Sequence, residues 1–463
     1  MSATNSSSVS LDLLRRFDRP GPRYTSYPTA VEFHAGIDQA AYRASLGEAD
    51  SATDAAISLY VHLPFCRELC DFCACTAMAT PHEHVRSRYL EYLDRELALV
   101  ASELPNRRSL SQLHWGGGTP TYFAPAQIEA LFASITRHFD IEATSQLALE
   151  ADPRVTTDAH LETLRSLGFR RLSIGVQDFT PAVQQAIGRG QTLEQTSMLV
   201  AKARELGFDD GINFDLVYGL PKQDLDSFAE NLDRVLELRP DRLAIYSFAF
   251  LPALKANQRR LDVATIPAAA LKLELHEMAV NCLIGAGYQA IGMDHFSLAT
   301  DELAVAASEG RLARNFMGYT VRPTSTNLGV GVSAIGDLAG GYFQNHRKLS
   351  AYYRALGGGR LPIERGRLLD ADDELRRHVI MQLMCNFWLD KDDISRRFGI
   401  EFDSYFADSI ARLGEFAAEG FLKNDASSLS VIGKGRLFVR NAAMVFDSYL
   451  NATPSRSRFS QTV

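Results

Sequence analysis

Six short apolar runs, joined by five amphipathic stretches of helix length, set the architecture of the middle of this chain. The runs cover residues 57–62, 112–115, 147–150, 171–176, 212–218 and 242–248, and the stretches between them cover 83–103, 125–138, 157–167, 193–206 and 227–238. Near-continuous apolar strands alternating with helices bury both faces of a parallel sheet, so an α/β fold closing into a partial (β/α)6 barrel is expected. In such a sheet the working residues lie just past the C-terminal ends of the strands. The distinctive residues fall there: a cysteine cluster after the first run, Gly116-Gly117-Gly118-Thr119-Pro120 after the second, Glu150 at the end of the third, and Gln177 and Asp178 after the fourth. Asp215 lies inside the fifth and Ala249 follows the sixth.

The 463 residues suffice for about two or three domains. The expected division is an N-terminal arm over 1–55, kept extended by its prolines, the barrel over 56–255, an extension and linker over 256–365, and a mostly helical C-terminal domain over 366–463. A net charge of −8 provides no global basic field for nucleic acid or an anionic membrane. No apolar run reaches the roughly 18 to 20 residues a spanning helix needs, and residues 1–10 lack the apolar core of a signal peptide, so a cytoplasmic protein that binds neither is expected.

Four of the six cysteines, Cys66, Cys70, Cys73 and Cys75, lie within ten positions. In a reducing compartment so tight a group reads as metal or redox chemistry rather than as disulfides. Structural zinc sites usually draw two ligand pairs from separated knuckles, which this spacing makes awkward. A loop wrapping an iron–sulfur cluster supplies three thiolates to three irons and leaves a fourth iron open to substrate.

The CxxxCxxC spacing, with Phe72 before the third cysteine, resembles the loop of the radical S-adenosylmethionine (SAM) superfamily. The strings Pro22-Arg23-Tyr24-Thr25-Ser26-Tyr27-Pro28-Thr29-Ala30, Leu59-Tyr60-Val61-His62-Leu63-Pro64-Phe65-Cys66, His114-Trp115-Gly116-Gly117-Gly118-Thr119-Pro120, Gly175-Val176-Gln177-Asp178-Phe179 and Gly292-Met293-Asp294-His295-Phe296 are similar to the oxygen-independent coproporphyrinogen III oxidase family. The resemblance runs from about residue 15 to the C-terminus. It implies a radical-SAM barrel, a 4Fe-4S cluster and two SAM molecules. It also implies a 5′-deoxyadenosyl radical that drives two oxidative decarboxylations of coproporphyrinogen III to protoporphyrinogen IX in haem biosynthesis.

Residue by residue, the resemblance makes Cys66, Cys70 and Cys73 the cluster ligands. It places Phe72, Gly118, Thr119, Gln177, Arg189, Asp215 and Ala249 around one SAM, and Tyr60, Gly117, Glu150 and Ile335 around the other. Cys75 is implied to be catalytic without ligating the cluster. Arg189 suits a carboxylate and Asp215 suits ribose hydroxyls, while glycines admit close backbone approach. Arg23, in an arm folding over the mouth, is a candidate grip for a substrate propionate. An electron donor such as a flavodoxin or ferredoxin system, an unidentified acceptor and a monomeric state complete the expectation. The haem-chaperone relatives of this family are disfavoured, because Arg314 stands where their haem-binding string has a His.

Overall fold

The computed structural model describes residues 11–52, 56–338, 340–452 and 459. Its contacts form two compact units, one of Phe33–Ile266 with Arg322–Leu369 and one of Met1–Glu32 with Pro267–Val321 and Asp370–Val463. The linear division expected from sequence differs. The arm divides after Glu32, and the stretch 256–365 contributes to both units. Nor is the arm extended throughout. Its helix Gln39–Ser51 is capped by Asp38, which accepts from the Ala40 and Ala41 N–H groups at 3.0 and 3.1 Å, and it buries Tyr42, Leu46 and Ala49. Tyr42 meets Phe343 at 4.9 Å between ring centroids, which holds this part of the arm in the sheet unit.

In the sheet unit six parallel strands follow one another: β1 (Ile57–Leu63), β2 (Ser109–Gly117), β3 (Asp140–Ala151), β4 (Arg171–Gln177), β5 (Ile212–Tyr218) and β6 (Arg242–Ser247). Helices α1 (Glu83–Ser102), α2 (Pro125–His138), α3 (Asp158–Ser166), α4 (Pro181–Ala186), α5 (Leu193–Leu206) and α6 (Leu225–Leu238) lie in the crossovers. The chain then returns on the far side of β1. There β7 (Thr326–Val330) pairs parallel with it, and β8 (Ile335–Leu338), β9 (Gly341–Asn345) and β10 (Ile363–Leu368) follow as an antiparallel meander. The order is therefore β10-β9-β8-β7-β1-β2-β3-β4-β5-β6.

Alternation along β1 explains how the sheet serves both core and site. Leu59, Val61 and Leu63 are fully buried, whereas Tyr60 and His62 point to the opposite face, as the period of two requires. Each fully buried aliphatic side chain of this kind contributes about 2 kcal/mol. Trp115 of β2, also fully buried, packs edge-on against Phe169 at 4.8 Å.

The second unit is mostly helical. Helix Ala371–Asn386 buries Leu375, Val379, Ile380, Leu383 and Met384 in a core that includes Phe17, Tyr24 and Tyr27 of the arm. Tyr24 donates to Asp447 at 2.8 Å, and Arg440 donates to the Pro22 carbonyl at 3.0 Å. Within this unit the Arg23 guanidinium is ion-paired with buried Asp294, which also meets His295 Nδ1 at 2.6 Å. Burial pushes the Asp294 carboxyl up, but Arg23, His295 and Arg314 more than reverse it. Arg23 is thus engaged with a protein carboxylate. No helix among the described residues is long and apolar enough to cross a membrane.

Glu96 of α1 ties β7 and β9 to the helix layer. Its carboxylate accepts from the Gly331 N–H at 2.7 Å, from Asn345 at 2.5 Å and from Tyr352 at 2.5 Å. Burial nevertheless pushes the carboxyl up from its ordinary 4.5 to about 7. A carboxyl whose folded pKa exceeds its unfolded value takes up a proton on folding, so its contribution to stability falls as pH rises between these limits. Glu96→Gln offers an amide N–H where a donor must be met, which costs about 1–3 kcal/mol. The variant is expected to unfold at lower denaturant and to lose pH dependence between about pH 4.5 and 7; an unchanged slope in that window contradicts this account.

Candidate active site

Four of the cysteines belong to a loop with almost no secondary structure of its own. Phe65–Cys66 pairs with Met78–Ala79 in a two-residue parallel ladder that closes the loop's neck. Between these ends Cys70 is buried, Cys66 and Cys73 are partly buried and Cys75 is exposed. Burial pushes the Cys66 thiol up to about 11, although Thr119 Oγ1 lies 3.4 Å from its sulfur. Cys73 goes the other way, to about 6, because the Cys75 thiol and backbone N–H both donate to it, the latter at 3.4 Å. Cys75 is correspondingly held in the thiol form.

Positive charge is buried beside the loop. Arg154 Nη2 lies 3.5 Å and Arg189 Nη1 3.6 Å from Cys70 Sγ. Both guanidiniums share Asp152, which Arg154 meets at 2.6 Å and Arg189 at 3.6 Å. Arg189 is only 8% exposed, so it is not a solvated loop charge. Two guanidiniums against one carboxylate leave a local excess of positive charge next to a sulfur that must ionise to bind metal.

The residues expected around one SAM converge on this loop. Gln177 closes β4 after a register shift, with φ of 69°, a left-handed conformation uncommon for glutamine. An added Cβ on Gly175 would lie 3.0 Å from the Gln177 amide and 3.1 Å from Arg189, which brings those two side chains together. Gly175 registers with Asp215 on β5, whose carboxylate accepts from Ser173 at 3.2 Å and Asn213 at 3.0 Å. Asp215 is therefore already partnered from its own strand and from β4. Phe72 and Ala249 are joined by Gln258, which donates to both carbonyls at 2.8 and 3.0 Å.

The second set gathers across β1, β2 and β3. Tyr60 stacks on His114 at 6.0 Å, and its hydroxyl meets His62 Nδ1 at 3.0 Å. Glu150 accepts from the Gly117 N–H at 3.1 Å and lies 3.7 Å from His114. Burial pushes this carboxyl up, but His114, the Gly117 N–H and His62 bring it below the usual carboxylate range. Ile335 joins through register. Tyr60 pairs with Gly329, and a Cβ on Gly329 would lie 2.4 Å from the Ile335 carbonyl oxygen.

Gly117 and Gly118 owe their identity to protein neighbours. A Cβ on Gly118 would lie 2.7 Å from the Pro64 backbone. His62, His114, Asp152, Arg154, Asn257 and Gln258 escaped the sequence reading. The i, i+2 alternation of Tyr60 and His62 and the Asp-Pro-Arg string past β3 were signals for His62, Asp152 and Arg154. Nothing local marks Asn257 or Gln258.

The donor set suits an iron–sulfur cluster. Among the described residues no three His, Cys, Asp or Glu side chains meet closely enough to share one metal ion. A cluster asks something else of its thiolates, each binding a separate iron.

Sheet and loop together define a radical SAM enzyme, and residues 60–235 match the Radical SAM superfamily while 369–438 match the HemN C-terminal domain. The chain is 43% identical to the oxygen-independent coproporphyrinogen III oxidase of Pseudomonas aeruginosa and 42% identical to that of Escherichia coli, covering 98% of this chain and 98% of each relative. The solved Escherichia coli structure, described as coproporphyrinogen III oxidase and a radical SAM enzyme, superposes with a TM-score of 0.90 at 42% identity over 95% of this chain and 99% of that one. The chain belongs to the oxygen-independent coproporphyrinogen III oxidase family.

Gly117 has φ of +114°, and a Cβ there would lie 2.4 Å from the His62 ring. Gly117→Ala is expected to displace His62 and the Glu150 contact and to lower SAM affinity about 5- to 150-fold, since strain of this kind costs about 1–3 kcal/mol. Calorimetric titration of the reconstituted enzyme with SAM checks this, and wild-type affinity refutes it.

Proposed function

We infer that this chain carries out the oxygen-independent oxidative decarboxylation of coproporphyrinogen III to protoporphyrinogen IX, in haem biosynthesis, as a radical SAM oxidoreductase. The single observation that carries the reading is the loop of Cys66, Cys70 and Cys73 beside buried Arg154 and Arg189 at the strand ends of the sheet. An iron–sulfur cluster and SAM, when bound, supply the one-electron reduction and the organic radical.

The protein's task is to hold and to exclude. We assign Cys66, Cys70 and Cys73 to a 4Fe-4S cluster, with Arg154 and Arg189 favouring the Cys70 thiolate by charge. Phe72, Gly118, Thr119, Gln177, Arg189, Asp215 and Ala249 would hold one SAM, Asp215 being preset by Ser173 and Asn213 to accept from hydroxyls. Tyr60, Gly117, Glu150 and Ile335 would hold the other. There Glu150 is ionised and suits a cationic or amino group. Cys75 keeps its proton beside Cys73 and is the group we propose for hydrogen or proton transfer at the second site. The free thiols need a reducing compartment, which supports a cytoplasmic location. A flavodoxin- or ferredoxin-type donor, a separate electron acceptor, a monomeric state and no role for nucleic acid complete the proposal.

Anaerobic reconstitution with iron and sulfide, followed by coproporphyrinogen III, SAM and a reductant, should yield protoporphyrinogen IX by chromatography. Cys70→Ser is expected to remove the cluster's visible absorbance and SAM cleavage together. Cys75→Ser is expected to keep the absorbance and lose product. Cleavage surviving in the first variant, or iron lost from the second, breaks the assignment.

A further inference from the structure

The cysteine loop has another feature that ligand chemistry alone does not explain. Side chains of one short segment, Lys255 to Arg260, reach the backbone carbonyls along it. Asn257 Nδ2 donates to Cys70 O at 3.0 Å, Asp71 O at 3.3 Å and Cys73 O at 2.8 Å. Gln258 donates to Phe72 O at 2.8 Å, Lys255 to Cys75 O at 3.1 Å and Arg260 to Leu69 O at 3.4 Å. Of the carbonyls from Leu69 to Cys75, only that of Ala74 receives no donor from this segment.

Three acceptors around one amide leave no ambiguity about which end of Asn257 faces them. Its two N–H bonds are shared among the three carbonyls, while an oxygen in that place would repel all of them. The anchor is itself secured. Gln258 is fully buried and accepts from the Leu251 N–H at 2.5 Å. Leu261, next along the chain, lies in an apolar cluster with Val183, Ile187, Val217, Leu220 and Phe248, against which Phe72 packs. Arg260 adds a bond to the Asp71 carboxylate at 2.6 Å.

The amide hydrogens of two clamped peptides are committed as well, Asp71 N–H to the Ile187 carbonyl at 2.8 Å and Cys73 N–H to the Cys70 carbonyl at 3.3 Å, so what the segment fixes is the course of the loop backbone. We propose that Asn257, assisted by Gln258 and Lys255, is a positioning residue for the iron–sulfur site: it holds the loop backbone from outside so that the three thiolates stay in cluster-binding geometry. The proposal rests on the assignment of Cys66, Cys70 and Cys73 as ligands.

Asn257→Asp and Asn257→Ala separate this role from mere space filling. Aspartate matches asparagine in size but presents oxygens to three carbonyls, whereas alanine only removes the donors. If Asn257 acts by donation, the Asp variant is the worse of the two. Partners behind metal ligands typically matter by about 10- to 100-fold, so iron release from the reconstituted full chain into an excess of bathophenanthroline should accelerate about 10-fold in Asn257→Ala and more in Asn257→Asp. The reduced, SAM-bound cluster's electron paramagnetic resonance spectrum should shift in Asn257→Ala while circular dichroism stays that of the wild type. Release from the Asp variant at the wild-type rate, or slower than from the Ala variant, overturns the clamp alone. A wild-type chain that retains no iron and sulfide overturns the ligand assignment and the clamp with it.

Discussion

The structure depends on one constraint: a ten-residue loop bearing four thiols has to keep a defined shape with almost no secondary structure of its own. Its ends are joined by a minimal parallel ladder, and its carbonyls are taken up by side chains from the segment after β6. Its Cys70 sulfur is faced by two guanidiniums that share a single Asp152. Removing any of these supports leaves either unpaired polar groups or like charges together. Loop shape and thiolate charge are therefore supplied by different parts of the sheet rather than by the loop.

The barrel supplies those parts in an orderly way. Parallel strands end on the same side, and the side chains emerging there fall into two neighbouring groups, one rich in cation and amide around Cys70 and one built on Tyr60, His62, His114 and Glu150. The first group surrounds a sulfur with positive charge. The second surrounds a carboxylate with imidazoles and an N–H.

The architecture was legible wherever a local rule governs. Strand and helix alternation over 57–248 marks the crossovers, and the strand-end rule picks out Gln177 and Glu150 without knowledge of any contact. The rule failed to foresee the return of the chain at Thr326–Val330 beside β1, because parallel pairing of distant segments leaves no periodic trace. It also misjudged the arm. The pattern of Tyr42, Leu46 and Ala49 is helical, yet the neighbouring prolines drew attention to extended backbone.

What the sequence by itself determined is the chemistry available and its approximate place: three spaced thiols, glycines where only glycine fits, and polar residues at the ends of apolar strands. Tertiary structure alone decided the partners. It placed Arg189 against Cys70 from 119 positions away, gave Asp215 the hydroxyl and amide that make its burial tolerable, and joined Arg23 to Asp294 across 271 positions. It also set Asn257 under a loop 184 positions earlier. The physical reason is that thiol spacing and strand period act through neighbouring covalent bonds. Desolvation, charge pairing and hydrogen-bond matching depend on distances that exist only after the sheet has folded.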